Sequence, residues 1–237
     1  MYTKILQEYV ERSSYIVFFG GAGVSTESGI PDFRSVDGLF NEKWPYPPEV
    51  MVSRPFFESH TKEFYDFYRA KLLHLDATPN KAHRALAALE KMGKLKAIIT
   101  QNIDGLHQQA GSTNVYELHG STRRNYCNAC KSPYEVSTII NATNIPICTC
   151  GGTIRPDVVL YEEPLDDEIM DEATSHIAKA DMLIIGGTSL GVYPAAGLLY
   201  VFKGSRLVLI NRSETHMDDV ADLVIRDNIG DALSCFI

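Results

Sequence analysis

Short, unbroken apolar runs alternate along this chain with amphipathic stretches. The runs are Tyr15 to Phe19, Lys96 to Thr100, Val115 to Leu118, Val158 to Tyr161, Met182 to Ile185, Arg206 to Ile210 and Leu223 to Ile225. Most are β-branched or aromatic with no polar alternation, as strands of a parallel sheet covered on both faces must be. Between them, Asn80 to Met92 carries Leu86 and Leu89, and Asp166 to Lys179 carries Ile169, Ala173 and Ile177, spacings that make one apolar helical face. Strand alternating with helix predicts an α/β fold built on a doubly wound, Rossmann-like parallel sheet.

Two stretches break the rhythm. Residues 35–78 hold no clear strand, but Phe56, Phe57, Phe64, Phe67, Tyr68, Leu72 and Leu75 predict an aromatic-rich helical insert after a loop containing Pro45, Pro47 and Pro48. Residues 123–155 hold four cysteines, as Cys127-x2-Cys130 and Cys148-x-Cys150, seventeen residues apart, followed by Gly151-Gly152. Two close pairs of thiolates suit one tetrahedral zinc ion, and with sulfur at all four positions the site is expected to be structural, because a catalytic zinc keeps one position for water or substrate. The predicted layout is a nucleotide-binding domain of residues 1–34, 79–122 and 156–237, with a small inserted domain made of the helical module and the zinc ribbon.

Composition narrows the class. The 237 residues can bury a sizeable core, and 22 basic against 30 acidic residues give a net charge of −8, which offers no footprint for phosphate backbones or anionic membranes. With no apolar run near the ~20 residues that span a bilayer and no leader-like N-terminus, a soluble cytoplasmic protein is expected. The cysteines at metal spacing fit a reducing compartment, and Cys235 is expected to be a buried apolar residue.

Candidate chemistry lies at strand ends. After the first strand comes Gly20-Gly21-Ala22-Gly23-Val24-Ser25-Thr26, a glycine turn of the kind that lets a backbone approach a pyrophosphate, although Thr26 stands where the third glycine of the usual fingerprint belongs. A tight turn without ligand is the other reading. Gly186-Gly187-Thr188-Ser189 follows another strand and suits ribose or phosphate. Asn211 ends the next strand, either as a ribose contact or as a turn residue. Gln101, Asn102, Asp104 and His107 cluster after the strand ending at Thr100, and His119, followed by Gly120, sits at the exit of the next.

Taken together, Gly21-Ala22-Gly23-Val24-Ser25, Gly29-Ile30-Pro31-Asp32-Phe33-Arg34, Thr100-Gln101-Asn102-Ile103-Asp104-Gly105-Leu106-His107, Glu117-Leu118-His119-Gly120, the four cysteines, Gly187-Thr188-Ser189-Leu190 and Val192-Tyr193-Pro194-Ala195-Ala196 resemble the sirtuins, in that family's order and over nearly the whole chain. The resemblance implies an NAD-dependent protein-lysine deacylase that consumes NAD as co-substrate, giving nicotinamide, acylated ADP-ribose and free lysine. It assigns His119 as general base and Asn102 as a second catalytic residue. Ala22, Thr26, Phe33, Arg34, Gln101, Ile103, Asp104, Thr188, Ser189, Asn211 and Ile229 become NAD contacts, and Cys127, Cys130, Cys148 and Cys150 hold structural zinc. Phe33, Val158, Gly191 and Val192 line the acyl-lysine peptide site. Segments Val159 to Glu163 and Gly191 to Tyr193 correspond to two strands between which the peptide inserts. His107 is expected to pack and hydrogen-bond within its short helix.

Three departures matter. Tyr161-Glu162-Glu163 stands where many members have Phe-Gly-Glu, which shifts peptide preference toward basic flanking residues. The second cysteine pair is one residue shorter than usual. Members that remove acidic acyl groups carry a Tyr-x-x-Arg pair; here Tyr65 and Tyr68 stand at those positions with Arg69 one residue late, which favours acetyl or other uncharged acyl groups. Mono-ADP-ribosyl transfer, an NAD-sensing zinc-ribbon module and hydride transfer are the competing readings.

Overall fold

The computed structural model describes residues 2–33, 38–41 and 43–237. From the N-terminus the chain runs through α1 (Tyr2–Arg12), β1 (Ile16–Gly20), α2 (Pro48–Met51), α3 (Arg54–Ser59), α4 (Thr61–Lys71), α5 (Lys81–Lys91), β2 (Leu95–Thr100), α6 (Leu106–Gln109) and β3 (Val115–Glu117). It continues with β4 (Gly120–Cys127), β5 (Pro133–Tyr134), α7 (Val136–Asn141), β6 (Ile154–Val158), α8 (Asp167–Lys179), β7 (Met182–Gly186), β8 (Arg206–Ile210), β9 (Leu223–Ile225) and α9 (Ile229–Leu233).

Six strands form one parallel sheet in the order β3-β2-β1-β7-β8-β9. Its order reverses between β1 and β7, so the crevice where doubly wound sheets bind ligands opens at the C-terminal ends of those two strands. The period of two divides each strand between two cores. Ile16 and Phe18 pack with Leu6, Leu86, Leu89 and Ile184 on one face, while Val17 and Phe19 pack with Ala173, Ile177, Leu183 and Ile185 on the other. Each such fully buried Leu, Ile or Phe contributes roughly 1.5–3 kcal/mol, which is why no polar residue interrupts the central strands.

Three helices, α3, α5 and α8, start where the side chains of Ser53, Asn80 and Asp166 cap them. Asp166 accepts from Ile169 N at 3.0 Å and begins α8. Asn80 accepts from Ala82 N at 2.8 Å to begin α5, and its amide also donates to Val24 O at 2.8 Å and Ser28 Oγ at 3.0 Å. One cap therefore ties α5 to the glycine turn after β1.

The expected strand Val158 to Tyr161 is corrected. Its apolar run is split: β6 ends at Val158 and belongs to a separate antiparallel sheet, β5-β4-β6, and Tyr161 forms only an isolated bridge to Ser53. Val158 pairs with Gly120, Val159 N is taken by His119 O at 3.0 Å, and Glu162 turns the chain with φ +69, so no ladder continues. This small sheet reaches from Gly120 to Val158, three residues beyond 123–155 on each side.

The helical module and the zinc ribbon share one core. Phe57, Phe64, Tyr65, Phe67 and Tyr68 pack with Cys127, Ile139, Cys148, Ile154 and Val158, and Tyr65 donates its hydroxyl to Ile154 O. Among the described residues no helix is long and apolar enough to cross a membrane.

Candidate active site

The site is built where β1 and β7 end. Gly20 and Gly186 are paired, and the loops that leave them stack backbone to backbone, with Gly21 N donating to Gly186 O at 3.2 Å and Gly23 N to Gly187 O at 2.8 Å. A Cβ on Gly23 would lie 2.7 Å from Gly187 Cα, so that glycine is required for loop-to-loop approach as much as for any ligand. Ala22 opens the short turn after Gly21, and Thr26 ties its hydroxyl to Gly23 O at 3.0 Å. Both side chains are half-buried at the crevice mouth.

From the end of β2, a chain of polar contacts crosses to this turn. Asn102, 8% exposed, donates its amide to Ser25 Oγ at 3.1 Å, and Ser25 donates to Asp104 Oδ2 at 2.6 Å. Leu106 N donates to Asp104 Oδ1 at 2.9 Å, and Asn102 N to Thr100 Oγ1 at 3.0 Å. Asn102 and Asp104 are thus held by a residue from β1's loop. Ser25 was quoted in the glycine motif but given no role. Its signal was a hydroxyl, 1% exposed, in a turn that is otherwise small and apolar.

His119 sits in the turn between β3 and β4. Its Nδ1 is 3.0 Å from Gln101 O, and since a carbonyl only accepts, Nδ1 carries the proton and Nε2 is the basic nitrogen. Burial lowers its pKa below the ordinary histidine value, opposed in part by that backbone bond. The turn is clamped by Arg124, which bridges Glu117 at 2.6 Å and Asp157 at 2.8 Å. Gly120 has φ +74, and a Cβ there would meet Asp157 O at 2.0 Å, so only glycine can follow this histidine.

Other expected contacts surround the crevice. Thr188 is buried and accepts from Leu190 N at 3.1 Å, while Ser189 is exposed. Phe33 and Ile103 are half-buried and pack against the core shared by the helical module and the zinc ribbon, to which Val158 belongs. Gly191 and Val192 lie in an irregular segment before the Tyr193–Pro194 bond. Asn211 makes local bonds: its amide donates to Ser213 O at 2.9 Å, and its backbone carbonyl accepts from Arg226 at 3.0 Å. Ile229 is 4% exposed, with Cδ1 so close to Gly187 that a Cβ there would lie 2.8 Å away, which leaves its backbone as the part able to meet a ligand. Arg34 lies outside the described residues.

Several histidines resolve differently. His107 packs as expected but does not hydrogen-bond: both ring nitrogens are buried without a partner among the described residues, and the ring lies edge-on to His83 at 4.8 Å. Burial pushes His83 down to about 4 and His107 well below the ordinary value. His176 is held between the hydroxyls of Tyr15 and Tyr116, each at 2.9 Å. Cys235 is half-buried rather than buried.

The four cysteine sulfurs lie within 4.8 Å of one another. Cys127 and Cys150 are 3.5 Å apart and Cys130 and Cys148 3.7 Å, close to the ~3.8 Å that zinc–sulfur bonds of ~2.3 Å impose on a tetrahedron. Each knuckle folds an N–H back on its first sulfur, Cys130 N onto Cys127 and Cys150 N onto Cys148, both at 3.5 Å. The one-residue spacing of the second pair still permits this. The donor set fits zinc, with no position left for water.

For a dinucleotide the fit rests on Gln101, whose amide nitrogen is buried beside this crevice with no partner among the described residues. A donor so placed wants an acceptor from a ligand.

Residues 21–194 match the model of the Sir2 family. An NAD-dependent protein deacetylase from Clostridium perfringens (strain 13 / Type A) is 62% identical over 232 residues, covering 96% of this chain and 95% of its own. Among solved structures, Sir2 with a deacetylated p53 peptide and 3'-O-acetyl ADP-ribose superposes with a TM-score of 0.91 at 38% identity, covering 98% of this chain and 95% of its own. Sir2 with p53 peptide and NAD+ gives 0.88 at 38% identity, covering 98% and 96%. Switch-point crevice, clamped histidine, four-sulfur cluster and these likenesses agree, and the chain belongs to the Sir2 family.

Proposed function

We propose that this protein is an NAD-dependent protein-lysine deacetylase, as its relatives are named. The observation that carries the reading is the bond from His119 Nδ1 to Gln101 O, which leaves Nε2 unprotonated on a half-buried ring at the edge of the crevice. NAD, when bound, supplies a cleavable nicotinamide–ribose bond and a sugar carbon that accepts the acyl oxygen of lysine. His119 takes a proton from the ribose at Nε2, and its lowered pKa keeps the ring neutral at neutral pH, with that nitrogen free to accept. Asp104, held by Ser25 and the Leu106 amide, orients the carboxamide of nicotinamide together with the Ile103 backbone. Gln101 and Asn102 position the adjoining ribose. Ala22, Thr26, Arg34, Thr188, Ser189, Asn211 and Ile229 hold the remainder of the dinucleotide, and Phe33 excludes water from the reacting carbon.

The acyl-lysine peptide enters between residues 159–163 and 191–193, neither of which is committed to a ladder, and backbone pairing there supplies affinity with little sequence selectivity. Val158 and Phe33 form apolar walls that accept a neutral acyl-lysine and reject an ammonium. Arg69 donates to Ile139 O at 2.8 Å and to Asn144 O, so it is committed to the zinc module and supports no acidic acyl group. Four thiolates hold one structural zinc. Net charge of −8 argues against nucleic acid as a partner, and we place the protein in the cytoplasm.

The test is incubation with NAD and acetyl-, longer-chain and succinyl-lysine peptides, with products identified by mass. Acetyl-lysine is consumed and succinyl-lysine spared; ADP-ribose attached to protein instead of O-acetyl-ADP-ribose replaces this reading with ADP-ribosyl transfer.

A further inference from the structure

Beside the peptide entrance lies an open depression with a cavity volume of about 600 Å3. Its walls are apolar and unusually exposed: Tyr46, Val50 and Tyr161 are 38%, 45% and 41% accessible. They are nevertheless ordered by packing. Tyr46 meets Phe56 edge-on at 5.0 Å, and His60 stacks on Phe56 at 4.8 Å with its Nδ1 held 2.8 Å from Ser59 Oγ. A preformed aromatic platform left in water is a feature that a ligand side chain would bury.

Two carboxylates, Glu49 and Glu162, share this depression, and among the described residues neither has a hydrogen-bonding or ion-pair partner. The surrounding charges are otherwise satisfied. Glu163 takes both Arg155 nitrogens at 2.7 and 2.9 Å, and Arg54 is paired with Glu58 at 2.8 Å. Glu162 has φ +69, a conformation that glycine adopts freely and other residues seldom do. A charged side chain is thus presented at a position where the backbone favours having none.

The depression is continuous with the substrate segment. Val159 N donates to His119 O at 3.0 Å, and Tyr161 is fastened to the helical module through Val52 O and Arg54 N, both at 3.0 Å. From Val159 to Glu162 an extended chain covers ~10 Å, the reach of about three peptide residues.

We propose that this depression is a selectivity subsite of the deacetylase, which holds a basic side chain of the substrate, arginine ahead of lysine, two or three positions from the acyl-lysine. The inference rests on the deacetylase reading. The aliphatic stem lies along Val50, the guanidinium stacks on Tyr46 or Tyr161, and Glu49 and Glu162 supply the countercharge. An acidic residue at the same position meets two unpaired carboxylates and is disfavoured.

The experiment compares acetyl-lysine peptides that differ only by Arg, Ala or Glu at each position within three of the acetyl-lysine, with NAD saturating and ionic strength low. For the wild-type protein, kcat/KM for Arg exceeds that for Ala about tenfold at one position and Glu falls below Ala. In the isosteric Glu49→Gln/Glu162→Gln double variant, that Arg-to-Ala ratio falls to about twofold, and 0.5 M salt lowers the wild-type ratio in the same direction. A flat wild-type profile, or a ratio that survives in the double variant, overturns the subsite while leaving the deacetylase reading intact. Turnover of no peptide at all overturns both.

Discussion

Replacing Ser25 by alanine tests whether the polar chain from β1's loop to Asp104 serves the chemistry or only the fold. The change removes a charge-assisted donor 2.6 Å from Asp104 Oδ2 and the acceptor 3.1 Å from the Asn102 amide. Losing the first costs about 1.5–3 kcal/mol, and orphaning a buried amide donor adds about 1–3 kcal/mol, less whatever an entering water restores. If about 2–3 kcal/mol of this appears in the transition state, kcat/KM for NAD falls about 30- to 160-fold. The remainder appears in stability, where about 1 kcal/mol lowers Tm by roughly 2–4 °C at this chain length. Initial rates over a range of NAD concentrations at saturating acetyl-lysine peptide, paired with a thermal melt, separate the two. A variant whose Tm drops while kcat/KM for NAD stays within about threefold of wild type would refute a positioning role for Ser25.

Two further outcomes follow from burial and from the metal cluster. His83 and His107 are neutral in the folded protein and ordinary histidines when unfolded, so the unfolded chain binds more protons below pH ~6.5 and stability is complete above that value and declines as pH falls toward 4. At pH 5 His83 alone removes on the order of 2 kcal/mol, before most carboxylates titrate, and melts at pH 7.5, 6 and 5 read it; a flat Tm contradicts the buried pair. Metal analysis should return one zinc per chain, and chelation should lower Tm and reduce turnover by about tenfold or more, reversed by zinc but not magnesium; full activity without metal would separate the ribbon from the catalytic lobe.

How much of this was legible from residues alone differs by kind of contact. Local signals were read well: the apolar runs of β1, β2, β7, β8 and β9, the helices begun by Asn80 and Asp166, and the cysteine pairs lie where the pattern placed them. Val158 to Tyr161 misled because a β-branched run looks alike in a parallel strand and in a short antiparallel one, and only the pairing with Gly120 decides between them. The helix Tyr2–Arg12 went unremarked because its buried residues are only Leu6 and Val10. Ser25's partnership with Asp104 joins residues 79 apart, and the Tyr65 to Ile154 bond spans 89, distances across which periodicity carries no information. The tautomer of His119 likewise depends on Gln101 O, a backbone atom that no motif names. Glu162 was noticed as an acid in place of glycine, but its left-handed backbone and the aromatic platform beside it required the fold.

The most direct measurement is the ratio of nicotinamide released to acetyl-lysine consumed, followed for the wild-type protein and for His119→Ala. A ratio of about one, with O-acetyl-ADP-ribose as the acylated product, and loss of peptide turnover by about a hundredfold or more in the variant while NAD still binds, is what a single imidazole base held by Gln101 O predicts. Nicotinamide release with the acetyl-lysine untouched, or a variant that deacetylates at the wild-type rate, would contradict it.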